Sequence, residues 1–262
     1  MIYIYLLVVF ILGLIVGSFI NAWVWRVRHN KSIVIGRSQC PKCNHRLAAK
    51  DLVPLVSFAW LKGKCRYCKQ KISWQYPIVE LANGLLFVAI VYYFQPNSLI
   101  STITTILWCL ATVFLISAFV YDLKYMQLPD RFMLPAIGIG VILLFVNAIT
   151  YGLSTVVAQI IATAVFAGFY LALWLFSKGR LLGGGDIRIA VVMGLMLTVP
   201  QLLVALFVAY LVGAIAGVVL IATKNKKRTS KVALAPFLIG GLYFGLFFGS
   251  QIATWYLSFF KL

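Results

Sequence analysis

Apolar residues in this chain come in long uninterrupted runs, not in strict alternation or narrow helical stripes. The runs lie near 2–25, 76–94, 99–121, 132–150, 154–176, 187–199, 202–223 and 235–259, with most polar residues gathered between them. A helix needs about 20 consecutive apolar residues to cross the hydrocarbon of a bilayer. The pattern therefore predicts an all-α polytopic membrane protein with about eight transmembrane helices, the sixth unusually short. The first run has no basic residues ahead of it and no small-residue cleavage pattern, so it is expected to remain as the first membrane helix.

Composition agrees: 63% of the 262 residues are hydrophobic and 11% are charged, against roughly 45–50% and roughly 25% in an ordinary soluble domain. The formal net charge of +18 could suggest a nucleic-acid partner, but its placement argues for a membrane. With the N-terminus outside, segments 26–75, 122–131, 177–188 and 224–234 face inward, and they hold 22 of the 23 lysines and arginines. This is the positive-inside pattern, which accounts for the charge without nucleic acid and favours contact with anionic lipid headgroups. Three regions follow: a first membrane helix (1–25), a polar cytoplasmic insert (26–75) and a membrane-embedded core (76–262).

The insert contains "CPKC" (Cys40, Cys43) and "CRYC" (Cys65, Cys68), two C-x-x-C pairs separated by 21 residues. Each pair can present two thiolates from a tight knuckle, and together they can make a tetrahedral all-thiolate zinc site. The gap is one residue longer than the usual zinc spacing. A redox pair or a metal-free segment are the rival readings, and disulfides are disfavoured in a reducing cytosol. Four thiolates leave no open position for substrate, so the expected zinc is a structural staple for a segment too small to support its own core. Cys109, in the third run, reads as a small apolar residue, and His29 and His45 read as solvated.

The chain has five acidic residues, and each can be weighed. Asp51 sits among lysines and arginines, where a surface charge partner is the ordinary explanation. Asp130 precedes an apolar run and is placed to cap its first amides. Asp122 ends the third run in "SAFVYDLKYMQLPD", and Asp186 opens the sixth after three glycines, in "LLGGGDIRIA". Ionisable groups at the hydrocarbon edge usually face the bundle interior and carry a functional presumption. Pairing of Asp122 with Lys124 or of Asp186 with Arg188 is the weaker account, because i,i+2 neighbours point to different helix faces. Two carboxylates meeting at a partly dry site can perform aspartic proteolysis, one activating water and the other protonating the leaving amine. Gly183, Gly184 and Gly185 have no Cβ, so they permit unusual backbone angles and the approach of an extended peptide. A flexible hinge is the equally simple alternative.

These residues, in this order, resemble the bacterial type IV prepilin peptidases, membrane aspartic proteases with a G-x-G-D motif. The resemblance is carried by "GSFINAWVWR", "RSQCPKCNHRL", "LKGKCRYCKQKISWQYPIVELANG", "YDLKYMQLPD" and "GGGDIRIAVVMG". It implies a catalytic pair at Asp122 and Asp186, a glycine motif at Gly183 and Gly185, and a zinc-binding tetracysteine at Cys40, Cys43, Cys65 and Cys68. It further implies removal of the basic leader from pilin-like precursors at the cytoplasmic face of the bacterial inner membrane. Many members also methylate the new N-terminus with S-adenosylmethionine, an activity associated with the insert and the stretch after it. Glu80, in "YPIVELANG", is thereby a candidate for binding a cationic amine, against a plain reading as an acid favoured in a helix's first turns. One departure is the absence of the Arg-x-Pro that many members carry after the first helix, which bears on methylation more than on proteolysis. Pilus or secretion assembly components are further partners that the resemblance suggests.

Glycines spaced by four, at Gly13 and Gly17, Gly213 and Gly217, and Gly241, Gly245 and Gly249, read as surfaces for close helix packing in lipid. Asp122 ends one helix and Asp186 begins another, and negative charge is favoured at a helix N-terminus. That contrast suggests Asp186 as the base and Asp122 as the proton donor. A precursor's apolar segment can insert in the bilayer with its leader at the anionic headgroups, so a basic leader need not be attracted by a basic enzyme. Two other classes remain open at this point. An ion- or proton-coupled transporter would more often place its acids near the midplane, and a non-catalytic assembly scaffold would not need both aspartates.

Overall fold

The computed structural model of the chain describes residues 2–33, 35–180, 182–223 and 233–259. The basic run 224–231, Leu181 and Lys261 therefore lie outside the described residues. The described residues form α1 (Ile2–Arg28), a 3-10 turn (Ala49–Asp51), α2 (Val56–Trp60), α3 (Gln75–Phe94), α4 (Leu99–Tyr125), α5 (Asp130–Tyr151), α6 (Leu153–Phe176), α7 (Gly184–Met196), α8 (Val199–Ala222) and α9 (Ala235–Ser258). No strand occurs among them.

Seven helices are long and apolar enough to cross a membrane, one fewer than the apolar runs suggest. The difference is α7, whose 13 residues extend ~20 Å at the helical rise, short of a hydrocarbon core of about 30 Å. The apolar pattern already separates this short run, 187–199, from the next at 202–223, and backbone chemistry places the break. Leu197 and Thr198 are extended, and Pro200 stands in the first turn of α8, where its missing amide is harmless, whereas inside a continuous helix it would break a hydrogen bond. The outward surface of α8 is the clearest mark of a membrane: its most apolar window has a mean hydropathy of 2.7 with only 11% buried, a surface that requires lipid as its solvent.

The chain forms two compact units, Met1–Ser117 and Ala118–Leu262. In the first, α1 and α3 run antiparallel with their backbones in contact. A Cβ at Gly13 would lie 2.7 Å from the Gly84 Cα, and one at Gly17 would lie 2.7 Å from the Glu80 Cα. Two buried asparagines continue this ladder, Asn83 donating to the Gly13 carbonyl at 2.7 Å and Asn21 to the Tyr76 carbonyl at 3.1 Å. Small residues thus let polar side chains reach the neighbouring backbone inside the bilayer.

In the second unit α7 lies in the middle, in contact with α5, α6, α8 and α9. Its residues Val192 to Leu197 are all buried. The carbonyl of Leu197 accepts from Gln159 Nε2 of α6 at 2.9 Å, and Asn147 of α5 donates to the other end of that glutamine at 3.3 Å. The α8 start is closed by Gln201, whose Oε1 accepts from the Thr198 amide at 3.1 Å while its Nε2 reaches the Leu246 carbonyl at 3.4 Å. On α9, Gly241, Gly245 and Gly249 press against Ala205, Ala209 and Gln201 of α8, as their spacing suggests. Gly213 and Gly217 do not behave this way. Gly213, on the same face as Gln201, Ala205 and Ala209, makes ordinary contact with Phe237 at the start of α9, and Gly217, one turn further on, has open space beside it.

This contrast yields a prediction. Gly245→Leu should lower the unfolding midpoint of the purified protein, with an overpacking cost of about 1–3 kcal/mol, because a Cβ there would meet the Gln201 carbonyl at 2.6 Å. Gly217→Ala should leave the midpoint unchanged or raise it slightly; thermal unfolding in detergent measures both.

Candidate functional site

Asp122 lies in the last turn of α4 and Asp186 in the first turn of α7, and their relative exposures are 6% and 9%. Both belong to the second unit. They lie close enough for the charge of Asp186 to act on Asp122. Among the described residues neither makes an ion pair, so the local partners are unused. Arg188 goes instead to Asp130, with Nη1 2.6 Å from Oδ1. Asp130 is therefore not a helix cap: α5 starts without a side-chain cap, Pro129 occupying the cap position, and the Asp130 carboxylate is drawn to the guanidinium.

Each aspartate touches a helix N-terminus. The Asp186 Oδ2 accepts from the Gly183 amide at 3.1 Å, closing the first turn of its own helix. The backbone N–H of Ala235, the first residue of α9, lies near the Asp122 carboxylate. The contrast of helix ends used to divide the roles is thus weakened, because Asp122 also has a helix start, that of α9, beside it.

The glycines before Asp186 serve close approach, not unusual angles. Gly183 is extended, with φ −76° and ψ 143°, and Gly184 and Gly185 are helical. A Cβ at Gly185 would lie 2.7 Å from the Leu128 Cβ, so the α4–α5 turn rests directly on this residue. Arg188 also donates to the Leu128 carbonyl at 3.4 Å. Gly185 and Arg188 together seat the turn between the two aspartate-bearing helices. The Gly183 side facing Asp186 is similarly narrow, with a Cβ position 3.3 Å from Oδ2.

The structure adds a tyrosine pair that the sequence did not single out. The α6 and α7 helices run antiparallel, with Thr163 against Gly194 and the Trp174 indole near Gly184. Between these points lies Tyr170, fully buried, its hydroxyl hydrogen-bonded to that of Tyr210 on α8. The charge of Asp186 reaches both hydroxyls. In the sequence each tyrosine is one more aromatic in an apolar run, and only the helix register reveals the pairing.

In the first unit the four cysteines converge: the Sγ atoms of Cys40, Cys43, Cys65 and Cys68 all lie within 4.8 Å of one another. Two knuckles of one design hold them. The Cys40 amide donates to the His45 carbonyl at 3.0 Å and the Cys65 amide to the Gln70 carbonyl at 2.8 Å. The residue after each second cysteine, Asn44 and Lys69, has a left-handed φ of 57° and 61°. Cys40 and Cys68 Sγ are 3.9 Å apart, close to the ~3.8 Å edge of a tetrahedron with metal–sulfur bonds of about 2.3 Å. The donor set fits a structural zinc, which would supply the crosslink that the small insert lacks.

Asp51 is the acid partnered by charge, although it is buried and not superficial. Its Oδ1 lies 2.6 Å from Arg66 Nε. Burial acts to raise its carboxyl, but the bonds from Arg66, the Ala48 amide and the Tyr67 hydroxyl outweigh that and hold it below the usual value. His29 and His45 are exposed, as expected. Glu80 is buried, and its Oε2 accepts from the Leu55 amide at 2.8 Å. That bond gives it a structural task in anchoring the insert to α3.

Two outcomes are expected from these arrangements. Elemental analysis of the purified protein should find about one zinc per chain, and Cys40→Ser or Cys65→Ser should remove it and expose the insert to limited proteolysis. Gly185→Val should lower the unfolding midpoint by an overpacking cost of about 1–3 kcal/mol, and Leu128→Ala in the same chain should recover part of the loss, giving a non-zero coupling in a double-mutant cycle.

Residues 11–94 match the bacterial peptidase A24 N-terminal domain, and residues 109–218 match the type IV leader peptidase family. The chain is 31% identical over 257 residues to a prepilin leader peptidase/N-methyltransferase of Bacillus subtilis, covering 96% of this chain and 97% of that protein. Proteins of the same description from Aeromonas salmonicida and Pseudomonas aeruginosa are 28% and 29% identical, over 98% and 97% of this chain and 95% and 94% of their own lengths. No solved structure matches the chain. Matched along nearly its whole length, with the cysteine knuckles in one matched segment and both buried aspartates in the other, this chain belongs to the type IV leader peptidase family.

Proposed function

We propose that the protein is an aspartic endopeptidase of the bacterial inner membrane that removes the basic leader of type IV prepilin-like precursors. The observation that carries this reading is the Asp122–Asp186 pair: two buried carboxylates without a cationic partner among the described residues, each beside the start of a helix. One aspartate, ionised, takes a proton from a water as that water attacks the scissile carbonyl. The other, protonated, gives its proton to the leaving amine. A pair of this kind shares its titration, and the likeness of the two helix N-termini supports treating the roles as belonging to the pair. Gly183 keeps the turn before Asp186 bare, so an extended precursor backbone can run beside it, while Leu128 fills the space over Gly185.

The positive-inside distribution supports a cytoplasmic location for the insert and for the aspartate-bearing ends of α4 and α7. A precursor would arrive with its apolar segment in the bilayer and its leader among anionic headgroups. The names of the relatives support a second activity, methylation of the new N-terminus with S-adenosylmethionine as donor. The bond from Leu55 to Glu80 makes that residue a support of the insert first and an amine ligand only through its other oxygen. A coupled transporter or an assembly scaffold draws no support from the family membership.

Reconstitution in liposomes with a pilin-type precursor and S-adenosylmethionine tests the reading. Asp122→Asn and Asp186→Asn should each reduce leader cleavage by about 10²-fold or more while zinc content and unfolding midpoint stay near the parent values. Mass spectrometry of the product N-terminus should show an added methyl group with the parent protein. Cleavage that survives both substitutions would overturn the aspartic mechanism.

A further inference from the structure

The insert does not stand clear of the membrane helices. Leu55 donates its amide to Glu80, five residues past the start of α3 at Gln75, which places Leu55 about 7 Å along the helix axis from that start. The residues of α3 beyond Pro77 are almost wholly apolar, so this is the depth at which α3 enters hydrocarbon. The Phe58 ring packs on Trp74 with centroids 5.0 Å apart, which holds α2 against the same end of α3. On this part of the insert the large apolar residues point outward: relative exposures are 46% for Val53, 58% for Val56, 78% for Trp60 and 71% for Trp74, and Ile78 of α3 continues the series at 59%.

Charge selects the occupant of this surface. Residues 26–75 carry twelve lysines and arginines and a single acid, and that acid, Asp51, is buried against Arg66. Outward-facing tryptophans at the depth of a helix entry, under a surface of unopposed positive charge, have the composition of an interfacial membrane anchor. We infer that the segment Leu52–Trp60, with Trp74, lies in the headgroup region of an anionic bilayer, so that the zinc insert is a monotopic element held to the membrane by its own apolar edge. This rests on α3 as a membrane span and not on the peptidase reading.

The test uses the full-length protein, labelled with 5-fluorotryptophan and reconstituted in vesicles without substrate. Trp60→Phe and Trp74→Phe assign two of the seven tryptophan ¹⁹F resonances. In vesicles rich in anionic lipid both resonances should be broadened several-fold by a nitroxide placed on the acyl chain near the headgroup, and little by a soluble gadolinium chelate. Val56→Glu should reverse the preference at Trp60, and zwitterionic vesicles should weaken the protection. Resonances broadened by the chelate and untouched by the lipid nitroxide would overturn the inference. So would protection that appears only when a precursor or another protein is added, which would assign the surface to a protein partner.

Discussion

Inside a bilayer each backbone amide and carbonyl must find its partner within the protein, and α7 faces that demand at a buried helix end. It is too short to cross the membrane, yet its C-terminus lies among α5, α6, α8 and α9. Gln159 closes the Leu197 carbonyl from the side, Asn147 orients Gln159, and Gln201 closes the adjoining turn of α8. Three amide side chains thereby do what water would do at an exposed helix end. With that end fixed, the opposite end of α7 is fixed too, and Asp186 stands there.

The same economy of space positions Asp122. The turn after α4 can lie on α7 only because Gly185 has no side chain, and Arg188 holds it there through Asp130 and the Leu128 carbonyl. A surface ion pair of this kind contributes little to stability by itself, about 0–1 kcal/mol. Its consequence is geometric: two carboxylates 64 positions apart in the chain reach one buried region. Burying an ionised group is costly and burying two more so. The Gly183 amide offsets part of that cost for Asp186.

The insert solves a different problem. It is too small and too basic to bury a core of its own, so its order depends on three local devices: the thiolate cluster, the Asp51–Arg66 pair and the Leu55–Glu80 bond. The third ties it to α3, and α3 is in turn welded to α1 through glycines and asparagines. Order in the insert is therefore continuous with order in the membrane helices of its own unit.

What the sequence by itself determined is whatever depends on composition and spacing. Membrane runs, the two C-x-x-C knuckles and the five acids are all local patterns, and the last two are distinctive because cysteines and acids are scarce in this chain. Asp122 and Asp186 were legible because a carboxylate at a hydrocarbon edge has few bland explanations, and the four-residue glycine spacing of α1 and α9 foretold their contacts. The short sixth run was legible too, and only the tertiary structure decided that it ends among buried neighbours, with Gln159 closing the Leu197 carbonyl. It decided that Asp130 pairs with Arg188 in place of capping α5, that Gly185 accommodates Leu128, that Gly217 has open space beside it, and that the start of α9 lies near Asp122. Each of these depends on which face of one helix meets which residue of another. A helical period sets what lies on a face, but the partner of that face is chosen by the fit of side chains and the demand for hydrogen bonds across the whole assembly.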